Sequence, residues 1–143
     1  MPITLRNEIE CDNIFNKKIY CIKYYLDWNL NDEFYYHYTS KYFARQIIND
    51  MKIIASNARI PHFGCGVFLT KLGPKEENDI LLENNYRGNS KYKHRLECAF
   101  ALEKNNFNRF IQIFDNFYPS RDIWKCIKDV DLTKCSFFLI FRE

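Results

Sequence analysis

Glycine and proline are scarce, four of each in 143 residues, which excludes a disordered or low-complexity chain and favours ordered connections. No stretch reaches the ~18 consecutive apolar residues of a membrane-crossing helix. The opening residues Met1-Pro2-Ile3-Thr4-Leu5-Arg6-Asn7-Glu8 lack the apolar core of a signal peptide, so the expected location is cytoplasmic, or that of an effector delivered without an N-terminal signal peptide. Six cysteines are present (Cys11, Cys21, Cys65, Cys98, Cys126, Cys135), but none forms a Cys-x-x-Cys pair. Three disulfides would suit that even number in a secreted protein. A chain of this length builds a core without them, and Cys21, Cys98 and Cys126 lie in strand-like apolar runs, so reduced thiols are expected. His62 with Cys65, or His94 with Cys98, has a zinc-like spacing, but no second matching pair exists and no metal is expected. Lys and Arg are scattered, and the net charge of +3 is mild. Nucleic acid is therefore a permitted but not an indicated partner, and no membrane association is expected.

Aromatic residues are plentiful, ten Tyr and thirteen Phe, which favours β-rich packing. The length suits one domain, 1–143. Along it, Ile19–Leu26 has a strand pattern with a helix as the alternative, 27–32 a loop, and Glu33–Tyr38 a strand. Thr39 or Ser40 is placed to cap a helix in which Phe43, Ile47 and Met51 share a face with Ala44 and Ile48 beside them, ending near Asn49-Asp50. Lys52–Ser56 follows as a strand, 57–63 as a loop, and Val67–Thr70 as a strand. Lys75–Glu83 is a second helical pattern and Asn84–Ser90 a loop. Leu96–Leu102, Phe107–Phe114, Asp122–Ile127 and the wholly apolar Phe137–Phe141 are strands, the last expected to be central. The class is α+β, mainly antiparallel, with helices in the N-terminal half.

Two stretches carry chemistry. Phe34-Tyr35-Tyr36-His37-Tyr38-Thr39-Ser40 delivers a His and two hydroxyls to a strand end, where imidazole serves as hydrogen-bond partner or acid and base. A plain strand histidine is the bland alternative. Gly64-Cys65-Gly66-Val67-Phe68-Leu69-Thr70 is a glycine turn feeding a strand that ends in another hydroxyl, and glycines permit close backbone approach to a ligand. Cys65 sits in that turn as an imaginable nucleophile, without a surrounding catalytic motif.

Taken in order, strand-His-Tyr-Thr-Ser, helix, Ile-x-Ala-Ser, loop, Phe-Gly-x-Gly-Val-aromatic-Leu-Thr, helix and Asn-Asn-Tyr resemble the toxin-type ADP-ribosyltransferases with a His-Tyr-Asp signature, relatives of the diphtheria-toxin and poly(ADP-ribose) polymerase fold. The match covers residues 34–90. It implies two small antiparallel sheets around a cleft for NAD as co-substrate, with ADP-ribose passed to a protein acceptor. It also implies that His37 orients a ribose hydroxyl, that Tyr38, Thr39 and Ser40 lie against the nicotinamide, and that Phe68 stands for the family's tyrosine, with Tyr86 on the other face of the ring. Ser56, Gly66, Thr70 and Asn85 complete the implied cofactor contacts. The family's acid is expected at Glu97, with Asp129 and Asp131 as alternatives. Arg45, Lys71, Lys75, Arg87, Lys91 and Lys93 are candidate pyrophosphate contacts. An NAD glycohydrolase and a non-catalytic module binding NAD, ADP-ribose or a protein partner are the alternative functions.

Overall fold

Two-residue alternation along the aromatic run of residues 34–39 divides the molecule into two cores. Phe34, Tyr36 and Tyr38 enter one, with Leu81, Leu96 and Ile140; Tyr35 enters the other, with Val67, Leu69, Phe100 and Leu139. The computed structural model describes residues 21–22, 34–57, 63–104, 109–135 and 137–142. Its strands are β1 (Cys21–Ile22), β2 (Phe34–Thr39), β3 (Lys52–Ile53), β4 (Ser56–Asn57), β5 (Cys65–Leu69), β6 (Cys98–Glu103), β7 (Ile111–Ile113), β8 (Ile123–Cys126), β9 (Val130–Asp131) and β10 (Phe137–Phe141). The helices are α1 (Lys41–Asp50) and α2 (Asn78–Tyr86), with 3-10 turns at Ser90–Leu96 and Leu132–Lys134.

One four-stranded sheet has the order β1-β10-β6-β2, another β4-β5-β8-β7, and β3 pairs with β9. All pairings are antiparallel except β1 with β10. The expected α+β class with mainly antiparallel sheets is what the chain forms. Tyr36 and Thr70 exchange backbone hydrogen bonds of 2.7 and 3.0 Å, so the edge strand β2 joins the end of β5 and the two larger sheets meet there. That junction brings the two motif-bearing stretches together.

The apolar C-terminal run is internal as expected: β10 lies between β1 and β6, with Leu139 and Ile140 fully buried. Ser40 caps α1, its Oγ accepting the Phe43 amide at 3.2 Å, and Met51 closes the helix in the left-handed region at φ 50°. The buried ridge of α1 is Ala44–Ile48, one turn apart, whereas Phe43 is exposed. The expected strand 52–56 is two pieces in different sheets, broken where the Ala55 amide donates to Asp129 Oδ1 at 2.7 Å.

The second helix starts and ends later than the sequence pattern suggests, and it lies past the midpoint of the chain. Asn84-Asn85-Tyr86 form its last turn, not a loop. Arg87 (φ 53°) and Gly88 (φ 80°) then reverse the chain, and the Gly88 amide donates back to the Leu82 carbonyl at 2.9 Å. A glycine after a helical pattern is the stop signal here. At the far end of β10, buried Arg142 donates to the carbonyls of Pro74, Glu76 and Leu96 and to Asn78 Oδ1, between 2.7 and 3.0 Å. It clamps the segment before α2 and the 3-10 turn against the sheet.

Residues 1–18, most of the expected strand 19–26, the loop 27–32, His62 and Cys11 lie outside the described residues. Among the described residues no helix is long and apolar enough to cross a membrane.

Candidate functional site

Where β2 and β5 meet, the strand ends, α1, α2 and the start of β8 enclose a cavity of about 870 Å³, within the ~300–1,000 Å³ range of small-molecule sites. Of the residues expected to form a site, His37, Tyr38, Thr39, Ser56, Gly66, Phe68, Thr70, Asn85 and Tyr86 all line it. Ser40 and Glu97 do not.

His37 is half-buried on the face of β2 opposite Tyr36 and Tyr38, and its Nδ1 lies 2.9 Å from the Phe68 carbonyl. A carbonyl only accepts, so Nδ1 carries the proton and Nε2 is the acceptor of the neutral ring. Burial pushes the imidazole below its usual value, partly offset by that hydrogen bond. His37 is therefore neutral at pH 7. Tyr38 donates its hydroxyl to the Leu72 carbonyl at 2.7 Å, and burial holds its pKa well above the ordinary tyrosine value. The Tyr38 side chain anchors the strand to the loop before α2.

Gly66 is required for packing. A Cβ there would collide with the Lys125 side chain and the Cys126 carbonyl on β8. Lys125 in turn donates to the Phe63 carbonyl at 2.7 Å, across the Gly64 turn at φ 73°. The close approach that glycine permits at position 66 is thus to the neighbouring strand.

The antiparallel register that sets Leu69 opposite Trp124 brings Asp122, at the start of β8, beside the end of β5. Asp122 Oδ2 accepts the Thr70 hydroxyl at 2.8 Å and the Lys71 amide, and Oδ1 accepts Trp124 Nε1 at 3.1 Å. Buried Asn84 ties this corner to α2: its amide nitrogen reaches Thr70 Oγ1 at 3.1 Å and the Asp122 carbonyl at 2.9 Å, while its oxygen accepts the Asp122 amide at 2.6 Å. Asp122 lines the cavity. Sequence reasoning passed over it, although an acid directly before the apolar run Ile123-Trp124 was the available signal.

The carboxylates that sequence reasoning favoured are placed elsewhere. Glu97, before β6, accepts the Lys41 amide at 3.0 Å and serves the first turn of α1. Asp129 accepts the Ala55 amide, and half-buried Asp131 caps the turn at Thr133. None of the three lines the cavity. Ser40 is occupied as the cap of α1.

Tyr86 stacks on Tyr92, ring centroids 4.9 Å apart and planes 20° from parallel. Among the candidate cations only Arg87 lines the cavity, joined there by Lys52, Arg95 and Arg121, which sequence reasoning did not single out. Arg87 and Arg121 both bind buried Asp115, at 2.8 and 2.6 Å. Arg121 also donates to the carbonyls of Asn84 and Asn85 and so fixes the last turn of α2.

Among the described residues no group of three or more His, Cys, Asp or Glu is arranged to hold a metal ion. Burial pushes the Cys98 thiol up to about 12 and the Cys135 thiol up to about 11, which makes both poor nucleophiles and ligands at neutral pH. Cys65 is exposed and does not line the cavity. Comparison with family models, with curated proteins and with solved structures yields no match to this chain.

Proposed function

We propose that the cavity binds NAD and promotes cleavage of its nicotinamide–ribose bond, with ADP-ribose passed to a protein acceptor. One observation carries this: a neutral His37, the aromatic residues Phe68 and Tyr86, and the acidic residue Asp122 line a single cavity. The two aromatic residues suit a planar cationic ring, because π faces attract positive charge. His37 Nε2, with Nδ1 held by the Phe68 carbonyl, is positioned as an acceptor for a ribose hydroxyl. When the glycosidic bond breaks, its electron pair leaves with the nicotinamide nitrogen and positive charge develops at the anomeric carbon. A fixed carboxylate is the group that stabilises such charge, and Asp122 supplies it in place of Glu97. The acceptor forms the new bond and gives up its proton.

Both Asp122 oxygens already accept hydrogen bonds from Thr70, Lys71 and Trp124. This favours, as second reading, a module that binds NAD or ADP-ribose without cleaving either.

Incubating the purified chain with NAD and separating the products by chromatography tests the proposal. The expected result is free nicotinamide, with ADP-ribose attached to an added protein. Free ADP-ribose as the sole partner product marks a glycohydrolase. Binding of NAD by calorimetry with no nicotinamide marks the binding module, and neither binding nor release removes NAD from the account.

A further inference from the structure

Strand β7 closes one end of the sheet β4-β5-β8-β7. On its inner side Ile111, Gln112 and Ile113 stand opposite Lys125, Trp124 and Ile123 of β8, and on its outer side the backbone pairs with nothing among the described residues. An open strand edge is a template for another strand, and proteins commonly block theirs with charge, proline or a bulge. Phe110-Ile111-Gln112-Ile113-Phe114 contains no charged residue and no proline. The opposite edge of the sheet, β4, consists only of the polar pair Ser56-Asn57. Apolar exposure gathers at the β7 end. Of nine large apolar side chains exposed among the described residues, four (Ile111, Phe114, Phe117 and Tyr118) belong to this stretch, with Phe114 66 % and Phe117 80 % exposed.

The sequence indicates what covers this edge. Phe107-Asn108-Arg109-Phe110-Ile111-Gln112-Ile113-Phe114-Asp115-Asn116-Phe117 reads the same in both directions about Gln112, except that Arg109 has Asp115 as its counterpart. When two copies of one strand pair antiparallel about a two-fold axis, residue i of one faces residue j of the other, and j faces i. With the axis at Gln112, Ile111 faces Ile113 of the second copy, Phe110 faces Phe114, and Gln112 faces itself. Branched and aromatic residues then meet their own kind, the pairs that stabilise antiparallel strands, and no like charges are opposed. Phe110 already packs on Tyr35 with ring centroids 4.7 Å apart, so Phe114 of the second copy arrives beside an existing aromatic pair. Arg109 and Asp115 add no ion pair between copies, because Asp115 is buried and held by Arg87 and Arg121. A strand of unrelated sequence would meet the same edge without this symmetry.

We infer that β7 pairs with β7 of a second copy of this chain, antiparallel and two-fold about Gln112, and joins two four-stranded sheets into one of eight strands. This pairing does not depend on the function proposed above.

Sedimentation velocity over a concentration series tests it on the native chain, Gln112→Lys, Gln112→Glu and an equimolar mixture of the two variants. Gln112 is exposed, so either charge is accommodated in the single chain. The native chain should dimerise reversibly. Each variant sets like charges against each other across the axis and should weaken dimerisation about tenfold or more. The mixture should restore it, because opposite charges then face one another. A native chain that stays monomeric, or a dimer that neither variant weakens, overturns the pairing. Weakening in both variants without restoration in the mixture overturns the register about Gln112. Amide hydrogen exchange of the native chain reads the same contact without a substitution: residues 110–114 should exchange more slowly as concentration rises. Exchange there that ignores concentration overturns the pairing as well.

Discussion

Asp115→Ala is expected to cost about 3–5 kcal/mol of folding stability, the loss typical when one member of a buried ion-pair cluster is removed. The Asp115 side chain is fully buried and accepts two bonds from Arg87, at 2.9 and 2.8 Å, and one from Arg121 at 2.6 Å. The amides of Phe117 and Tyr118 complete its shell at 3.0 and 3.3 Å. Removing the carboxylate strands the Arg121 guanidinium, only 7 % exposed, without its anion. The damage reaches the cavity, because Arg121 holds the carbonyls of Asn84 and Asn85 and Arg87 terminates α2. Burial alone would raise the Asp115 carboxyl, but the hydrogen bonds from Arg121, Arg87 and the Phe117 amide pull it down to about 2. An unfolded Asp titrates near ~3.9. The stability it contributes is therefore complete above pH ~4 and lost as pH falls toward 2. Urea melts at pH 7 and between pH 5 and 2 check both statements; a loss below ~1 kcal/mol for Asp115→Ala would contradict them.

Asp122→Asn is expected to reduce nicotinamide release by about 100- to 1,000-fold, the range seen when one group stabilising transition-state charge is removed. Asparagine keeps an oxygen for the Thr70 hydroxyl and the Lys71 amide, and loses the negative charge together with the bond from Trp124 Nε1, which then faces an amide NH2. The loss should fall on kcat more than on KM. Glu97→Gln is the matched control. Its carboxylate serves the Lys41 amide outside the cavity, and release should be unchanged. The reverse pattern, with Glu97→Gln inactive and Asp122→Asn active, would return the acid to Glu97.

How much of this was legible in the chain depended on the range of the interaction. The strand β2 follows from the aromatic run over Glu33–Tyr38, and its pleat in the structure sets His37 apart from Tyr36 and Tyr38. The cap at Ser40 follows from a hydroxyl three residues before the amide it binds. The central place of β10 follows from an uninterrupted apolar run. These are local patterns. Asp122 was missed because its position depends on β8 pairing with β5, which sets it against Thr70 from 52 residues away in sequence, and no local pattern sets that register. The Asp115 cluster has the same origin, since Arg87 and Arg121 approach it from separate elements. Ser40 and Glu97 illustrate the opposite error. Each has the right chemistry for a site, but the N-terminus of α1 already uses both. Asn84 was read as part of a polar loop, whereas it is buried and joins α2 to Thr70 and Asp122.

The central claim is that His37 and the cavity around it act on NAD, and comparing nicotinamide release by the native chain and by His37→Ala tests it most directly. His37 sits at the cavity wall with its Nδ1 fixed by the Phe68 carbonyl. Its removal takes no apolar side chain from either hydrophobic core and costs the bond to the Phe68 carbonyl. The account predicts nicotinamide release by the native chain and a fall of about 100-fold or more in His37→Ala, with an unchanged circular dichroism spectrum. Equal release by both proteins would contradict it.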